Sequence, residues 1–349
     1  MASGVIRILF LADTHLGFDL PFKPRIEQRR RGPDFFANFE KALEPALKGE
    51  VDAVVHGGDL LYRSKVPAAL VNMAFEPLKK VADRGVPIYL VPGNHERSAI
   101  PFRLLAEHPN IHIFHRAFTF ILTLHGFTLA MSGFPYVREN VREKFPGLLA
   151  QTGYRKIKAD CNLLCMHHCV EGAAVGEHNF VFRGQDFVVG LAEIPAAFAA
   201  VLSGHIHRFQ VVTKDLPGRT ILVPVFYPGA IERTSFAEKN EKKGYLTLEI
   251  ATSGPDKGSL RGWQFHQLPA RPMREIILPA AGKTGAELES GIKNILEKLP
   301  ADSIVKLKII DKVEEEALPV LRAASLRSIA PPTMNVSVAV PSLYNKNRN

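Results

Sequence analysis

The chain has 349 residues, 46% hydrophobic and 23% charged, with three Cys and a formal net charge of +9. At roughly 100 to 200 residues per domain this length accommodates two or three domains with a sizeable core, and the composition excludes disorder, collagen and a disulfide scaffold as whole-chain readings. The most apolar long window, residues 187–202, is broken by Glu193 and Pro195 and is too short to span a bilayer, so no membrane partner is expected. The opening segment MASGVIRILFLAD lacks a basic leader, and the three Cys are clustered, so the expected compartment is the reducing cytoplasm. The basic surplus biases the partners toward polyanions, and its densest run is KPRIEQRRR at residues 23–31.

In chain order, VIRILFLAD reads as a buried strand ending on Asp13. A helix over residues 34–48 follows, with Phe35, Phe36, Phe39, Leu43 and Leu47 at helical spacing. DAVVHGGD is a second strand, residues 67–84 a second helix, and VPIYLVPGNH a third strand running into a glycine turn. Such a βαβαβ series implies a parallel α/β sheet whose C-terminal strand ends gather the polar residues, where ligands of these sheets bind. Beyond Pro109 the pattern changes to short strands: IHIFH, FTFILTL, FTLAMSGF, CNLLCMHH, AAVLSGHIH, FQVVT, TILVPVFYPG and GYLTLEI. These predict a second sheet, largely antiparallel, packed on the first with helices outside. At PARP the chain changes domain, and the remainder reads strand, helix, strand, helix, strand from MREIILP to MNVSVAV. The expected boundaries are a first domain over 1–268, a small βαβαβ domain over 269–340 and a polar tail over 341–349.

Five strand-to-loop junctions carry potential metal ligands: Asp13-Thr14-His15, Gly58-Asp59, Gly93-Asn94-His95-Glu96, His167-His168 and Gly204-His205-Ile206-His207. Any one of them occurs in many loops; all five, in this order and each after a predicted strand, form a set. His168 points away from His167 if that segment is extended. Cys161, Cys165 and Cys169 are separated by even numbers and would share one face of a strand as buried reduced thiols, since their spacing is not that of a zinc ribbon. His56, His112, His115, His125, His178 and His266 lack comparable context and receive no role.

With these segments in order, the sequence resembles the calcineurin-like metallophosphoesterase superfamily over about residues 5–250. ADTHLGF, GGDLLYRSKVP, VPGNHERS and YPGAIERTSFAE are similar to SbcD-type DNA repair exonucleases, including the YhaO-like branch, and the C-terminal module is similar to the DNA-capping domain of that family. The resemblance implies a four-layer α/β sandwich of two packed mixed sheets flanked by helices. It also implies a dimetal centre bridged by Asp59, with Asp13, His15 and His207 at one ion and Asn94, His167 and His205 at the other. His95 would be the catalytic histidine, stabilising the transition state or protonating the leaving oxygen. Mixed carboxylate, amide and imidazole ligands without thiolate suit Mn²⁺, with Fe²⁺ or Zn²⁺ as alternatives.

Phosphodiester hydrolysis needs a nucleophile at neutral pH and compensation of phosphoryl charge, and two ions about 3.5–4 Å apart supply both. Arg63, Lys65, Arg97, Arg208 and Arg233 lie beside the motifs and are candidates for contact with a DNA backbone. Two positions depart from the family pattern: Tyr62 stands where a histidine is common, and Glu96 where Asp is. The resemblance further implies a homodimer working with an SbcC-type coiled-coil ATPase. The leading expectation is a Mn²⁺-dependent DNA exonuclease or endonuclease. The alternatives are a phosphoesterase of small nucleotides and a non-catalytic DNA-end-binding subunit.

Overall fold

The computed structural model describes residues 4–20, 30–96 and 107–339. It divides into two compact units, one comprising Met1–Phe18 with Gly32–Pro269 and the other Asp19–Arg31 with Ala270–Asn349. The change of unit at residues 269–270 falls at the PARP segment, whereas no sequence signal assigns Asp19–Arg31 to the second unit.

In the first unit a six-stranded sheet has the order Leu260–Gln267, Gly244–Ala251, Val5–Leu11, Ala53–His56, Ile88–Leu90, Ile111–Ile113. The last four strands are mutually parallel, and Gly244–Ala251 runs antiparallel to both Val5–Leu11 and Leu260–Gln267. Two expected members of the second sheet therefore belong to the first. IHIFH supplies its far parallel edge, and GYLTLEI pairs antiparallel with Val5–Leu11 from Val5↔Ala251 to Phe10↔Leu246. What recruits GYLTLEI is its alternation, which buries Leu246, Leu248 and Ile250 on the same face as Ile6, Ile8 and Phe10.

The second sheet has the order Gln210–Lys214, Thr220–Tyr227, Ala200–Ser203, Cys161–Met166, Phe127–Gly133, Phe118–Leu124. Three of its five pairings are parallel, against the expectation of a largely antiparallel sheet. The reason is burial on both faces: CNLLCM and AVLS are near-continuous apolar runs because one side meets the first sheet and the other a helix layer.

Period-two alternation sorts the strands into layers. Phe10, Val55, Leu163, Cys165, Leu202 and Phe226 meet between the sheets. Leu9, Leu11 and Val54 face outward onto helices Gly32–Leu47 and Ala68–Asp83, and Leu164, Met166 and Val201 pack in the outer layer with helix Val141–Thr152. The result is helix, sheet, sheet, helix, and each fully buried large aliphatic or aromatic side chain in it contributes about 1.5–3 kcal/mol. The thiols divide accordingly. Cys161 and Cys165 lie between the sheets, but Cys169 sits in the outer layer, because the strand ends at Met166 and the His167-His168 step redirects the chain. All three are buried and free.

The second unit contains a parallel three-stranded sheet, Met273–Leu278, Ile304–Ile309 and Asn335–Ala339. Helix Gly285–Leu296 starts in a capping box between Thr284 and Glu287. The second expected helix is broken into a 3₁₀ segment, Glu315–Leu321, and a short α-helix, Ala323–Ile329. Pro319 lies within the first of these pieces and has no amide proton to continue an α-helix.

Candidate metal centre

Five parallel strands, three from the first sheet and two from the second, deliver their C-terminal ends to one place. Val5–Leu11 runs into Asp13 and His15, Ala53–His56 into Asp59, Ile88–Leu90 into Asn94 and His95, Cys161–Met166 into His167, and Ala200–Ser203 into His205 and His207. The backbone there is strained. Eight described non-glycine residues have positive φ, and four of them are Asp13 (51°), His15 (43°), Asp59 (54°) and His205 (82°). Left-handed backbone costs a β-carbon-bearing residue about 1–3 kcal/mol, and it persists where surrounding bonds over-determine it. Here Asp13 N donates to Gly58 O at 2.9 Å and His15 N to Asp59 O at 3.0 Å, locking two junctions together. The space is equally tight: a methyl group on Gly93 would run into Asp59, and one on Gly58 into the His167 ring.

The seven expected ligands converge. Asp59 Oδ2 lies 3.4 Å from His167 Nε2 and 4.0 Å from His15 Nε2. His207 Nε2 is 2.9 Å from His15 Nε2 and 4.0 Å from Asp13 Oδ1. Asn94 Oδ1 lies 2.9 Å from His205 Nδ1 and 3.1 Å from His167 Nε2. Ligand atoms within 4.8 Å of one another form three overlapping groups: Asp13, His15 and His207; His15, Asp59 and His95; Asp13, Asp59 and His167. Asp13, His15 and Asp59 each belong to two of them.

The electrostatics fit divalent cations. Both carboxylates are essentially inaccessible to water. Burial pushes the Asp13 carboxyl up, whereas Asp59, despite burial, is held well below the usual carboxylate range by His167, His15 and His95. Burial opposes a charge on His167 too, yet Asp59 raises that ring to about 9, while burial and the neighbouring His167 lower His205 to about 3. His15 Nδ1 is buried without a hydrogen-bond partner. Nitrogen facing nitrogen at Nε2 of His15 and His207, with two enclosed carboxylates beside them, is a donor set suited to borderline-hard cations.

A supporting layer fixes the rings. His167 donates from Nδ1 to Gly57 O at 2.7 Å, since a carbonyl can only accept, which turns Nε2 toward Asp59 and Asn94. His95 does the same to Tyr62 O at 2.5 Å, leaving its Nε2 3.8 Å from Asp59 Oδ2. The residue that departs from the family pattern thus orients His95 through its backbone. Glu96 accepts from the amides of Gly93 (2.5 Å), Leu61 (3.0 Å) and Asp59 (3.1 Å), pinning the Asn94 loop to the Asp59 loop. Burial and the Asp59 charge push its carboxyl up to about 8.

Sequence reading missed several of these supports. His56, given no role, accepts from Gly58 N at 3.2 Å through Nδ1 and meets Thr14 Oγ1 at 3.1 Å through Nε2, while Thr14 donates on to Leu60 O at 2.9 Å. Burial lowers His56 to about 3, so this link is a neutral imidazole. Glu238 lies 3.2 Å from His207 Nδ1, and its only signal was membership of the YPGAIERTSFAE segment. His168 faces away from the centre, stacked on Tyr136 and accepting from Val137 N at 3.1 Å.

The described members of the five expected cations differ in their surroundings. Arg63 and Lys65 are exposed, and Arg63 lies over the Tyr62 ring. Arg97 lies outside the described residues. Arg208 is bonded to Glu241, Asn179 and Gly176 O, at 3.1, 2.7 and 2.6 Å. Arg233 is buried and bonded to Glu232 Oε1 at 3.2 Å and to Lys239 O at 3.1 Å.

Strand ends of two packed sheets carrying two carboxylates, an amide and four imidazoles define a metallophosphoesterase. Residues 6–209, more than half of the chain, match the family model for calcineurin-like phosphoesterases, and the chain belongs to that family. It is similar to the DNA double-strand break repair protein Mre11 of Haloferax volcanii, 29% identical over 80% of this chain and 56% of that protein. Mre11 of Saccharolobus solfataricus is 24% identical over 60% of this chain and 52% of that protein. Mre11 of Aeropyrum pernix is 24% identical over 84% and 69%. The chain thus spans little more than half the length of the first two relatives.

Proposed function

We propose that the chain is a Mn²⁺-dependent nuclease that hydrolyses phosphodiester bonds at DNA ends, in the service of DNA repair in the cytoplasm. The observation that carries this reading is the convergence of Asp13, His15, Asp59, His167 and His207 at one set of strand ends, where Asp59 Oδ2 lies 4.0 Å from His15 Nε2 and 3.4 Å from His167 Nε2. Asp13, His15 and His207 would hold one ion, Asn94, His167 and His205 the other, and Asp59 would bridge them. When bound, such a pair supplies a hydroxide at neutral pH and compensates phosphoryl charge. His95, about one-third exposed in its side chain and tied through Nδ1 to Tyr62 O, presents Nε2 to the phosphate or the leaving oxygen. Arg63 and Lys65 would hold the backbone in register. Relatives named for double-strand break repair favour DNA over a small ester as substrate. On the same basis the second unit is read as a DNA cap, and a homodimer and an SbcC-type ATPase as the working partners.

The test is purified protein with Mn²⁺ on labelled single-stranded, blunt and hairpin DNA, beside bis-p-nitrophenyl phosphate. Cleavage of DNA as well as the ester supports the nuclease. Ester hydrolysis without DNA cleavage assigns a small substrate, and DNA binding without either hydrolysis assigns an end-binding subunit.

A further inference from the structure

We infer that Glu238 and Lys243 form a positioning pair for His207, and that through it they set the metal affinity of the Asp13, His15 and His207 half of the centre. The inference rests on the dimetal reading above and deepens it. His207 turns Nε2 toward His15 and Asp13, and its Nδ1 lies 3.2 Å from Glu238 Oε1. A carboxylate only accepts, so Nδ1 carries a proton, and in the neutral ring Nε2 keeps the lone pair that a metal ligand needs. Glu238 is itself held from several sides. Its Oε1 accepts from Thr234 Oγ1 at 2.7 Å, and its Oε2 accepts from Lys243 Nζ at 2.5 Å.

Lys243 comes from KNEKKG, which reads in sequence as a solvated charge run, yet its side chain is fully enclosed. Its other protons go to Glu241 Oε2 at 3.0 Å and to the carbonyl of His207 itself at 2.7 Å, so all three donors are used. It thus grips the same ligand residue twice, through the backbone and through Glu238. Glu241 in turn accepts from Arg208, the residue after the ligand, at 3.1 Å. In the other half the orienting acceptor of His167 Nδ1 is neutral, the carbonyl Gly57 O. A charged acceptor raises the basicity of its imidazole more than a neutral one, so the two halves should differ in their dependence on Glu238.

The experiment is Mn²⁺ titration of full-length wild-type, Glu238→Ala and Glu238→Gln proteins by calorimetry and by electron paramagnetic resonance of free Mn²⁺. Wild type should bind two ions. In Glu238→Ala one affinity should fall about 10- to 100-fold while the other stays unchanged. Glu238→Gln still accepts a bond from Nδ1 without the charge and should fall by a smaller factor. Independently, ¹⁵N shifts of metal-free wild-type protein should show the neutral His207 ring protonated at Nδ1, a readout that needs no variant to fold. Wild-type affinities at both sites in a folded Glu238→Ala or in Glu238→Gln, an equal loss at both sites, or a ring protonated at Nε2 would each overturn the inference. Fewer than two ions on the wild-type protein would instead overturn the dimetal reading on which it rests.

Discussion

His95 shares a group of ligand atoms with His15 and Asp59, and the proposed function gives it chemistry instead of metal holding. Its Nδ1 is committed to Tyr62 O, and its Nε2 faces Asp59 across 3.8 Å. His95→Ala should therefore retain both ions and lose at least about 10²-fold in turnover, the usual worth of a positioned acid or electrostatic donor. Measuring Mn²⁺ content beside the rate checks this, and loss of an ion from the variant would make His95 a ligand instead. Gly93 gives a steric counterpart. A methyl there meets Asp59, so Gly93→Ala should displace the bridge, lower stability by about 1–3 kcal/mol and weaken metal binding together. Denaturant unfolding and metal titration of one preparation would show whether the two effects are coupled. The proposed ligands were legible in sequence as candidates because each follows a strand as a short polar motif. Glu238 and Lys243 were not, since an acid and a lysine in a charged stretch look solvated until a fold encloses them.

Among elements, the parallel strands 5–11, 53–56 and 88–90 were readable from apolar runs and the helical spacing between them. The partner of a strand is less visible than the strand. GYLTLEI reads as part of the neighbouring sheet because it follows that sheet in sequence, whereas its place beside Val5–Leu11 depends on a face that only the folded sheets present. The parallel core of the second sheet escaped for a related reason: short apolar runs do not announce their direction. Leu202 sits at this buried level between the sheets, and Leu202→Ala should cost about 2–5 kcal/mol by denaturant titration, depending on how far the layers close around the gap. In the second unit Thr284 caps helix Gly285–Leu296, accepting from Glu287 N and receiving the Glu287 carboxylate on its own amide. Thr284→Ala should lower local stability by about 1 kcal/mol, read as faster amide exchange along that helix with metal content unchanged.

For the whole molecule, every proposed ligand lies in the first unit, and no described residue of the second belongs to a potential metal group. A chain truncated near Ala270 should keep the ions and hydrolyse bis-p-nitrophenyl phosphate. Its cleavage of duplex DNA should fall, and its DNA affinity should depend less steeply on salt, by roughly 0.9 in the log–log slope for each phosphate it no longer neutralises. Equal cleavage and equal slopes from a folded truncation would remove the second unit from the DNA-binding surface. None of the described helices is long and apolar enough to cross a membrane. The central claim is that Asp59 joins two ions into one hydrolytic centre, and elemental analysis of Mn per chain in wild type and Asp59→Asn tests it most directly. Two ions per wild-type chain with occupancy lost at both positions in the variant is the predicted result; two ions retained by Asp59→Asn would contradict it.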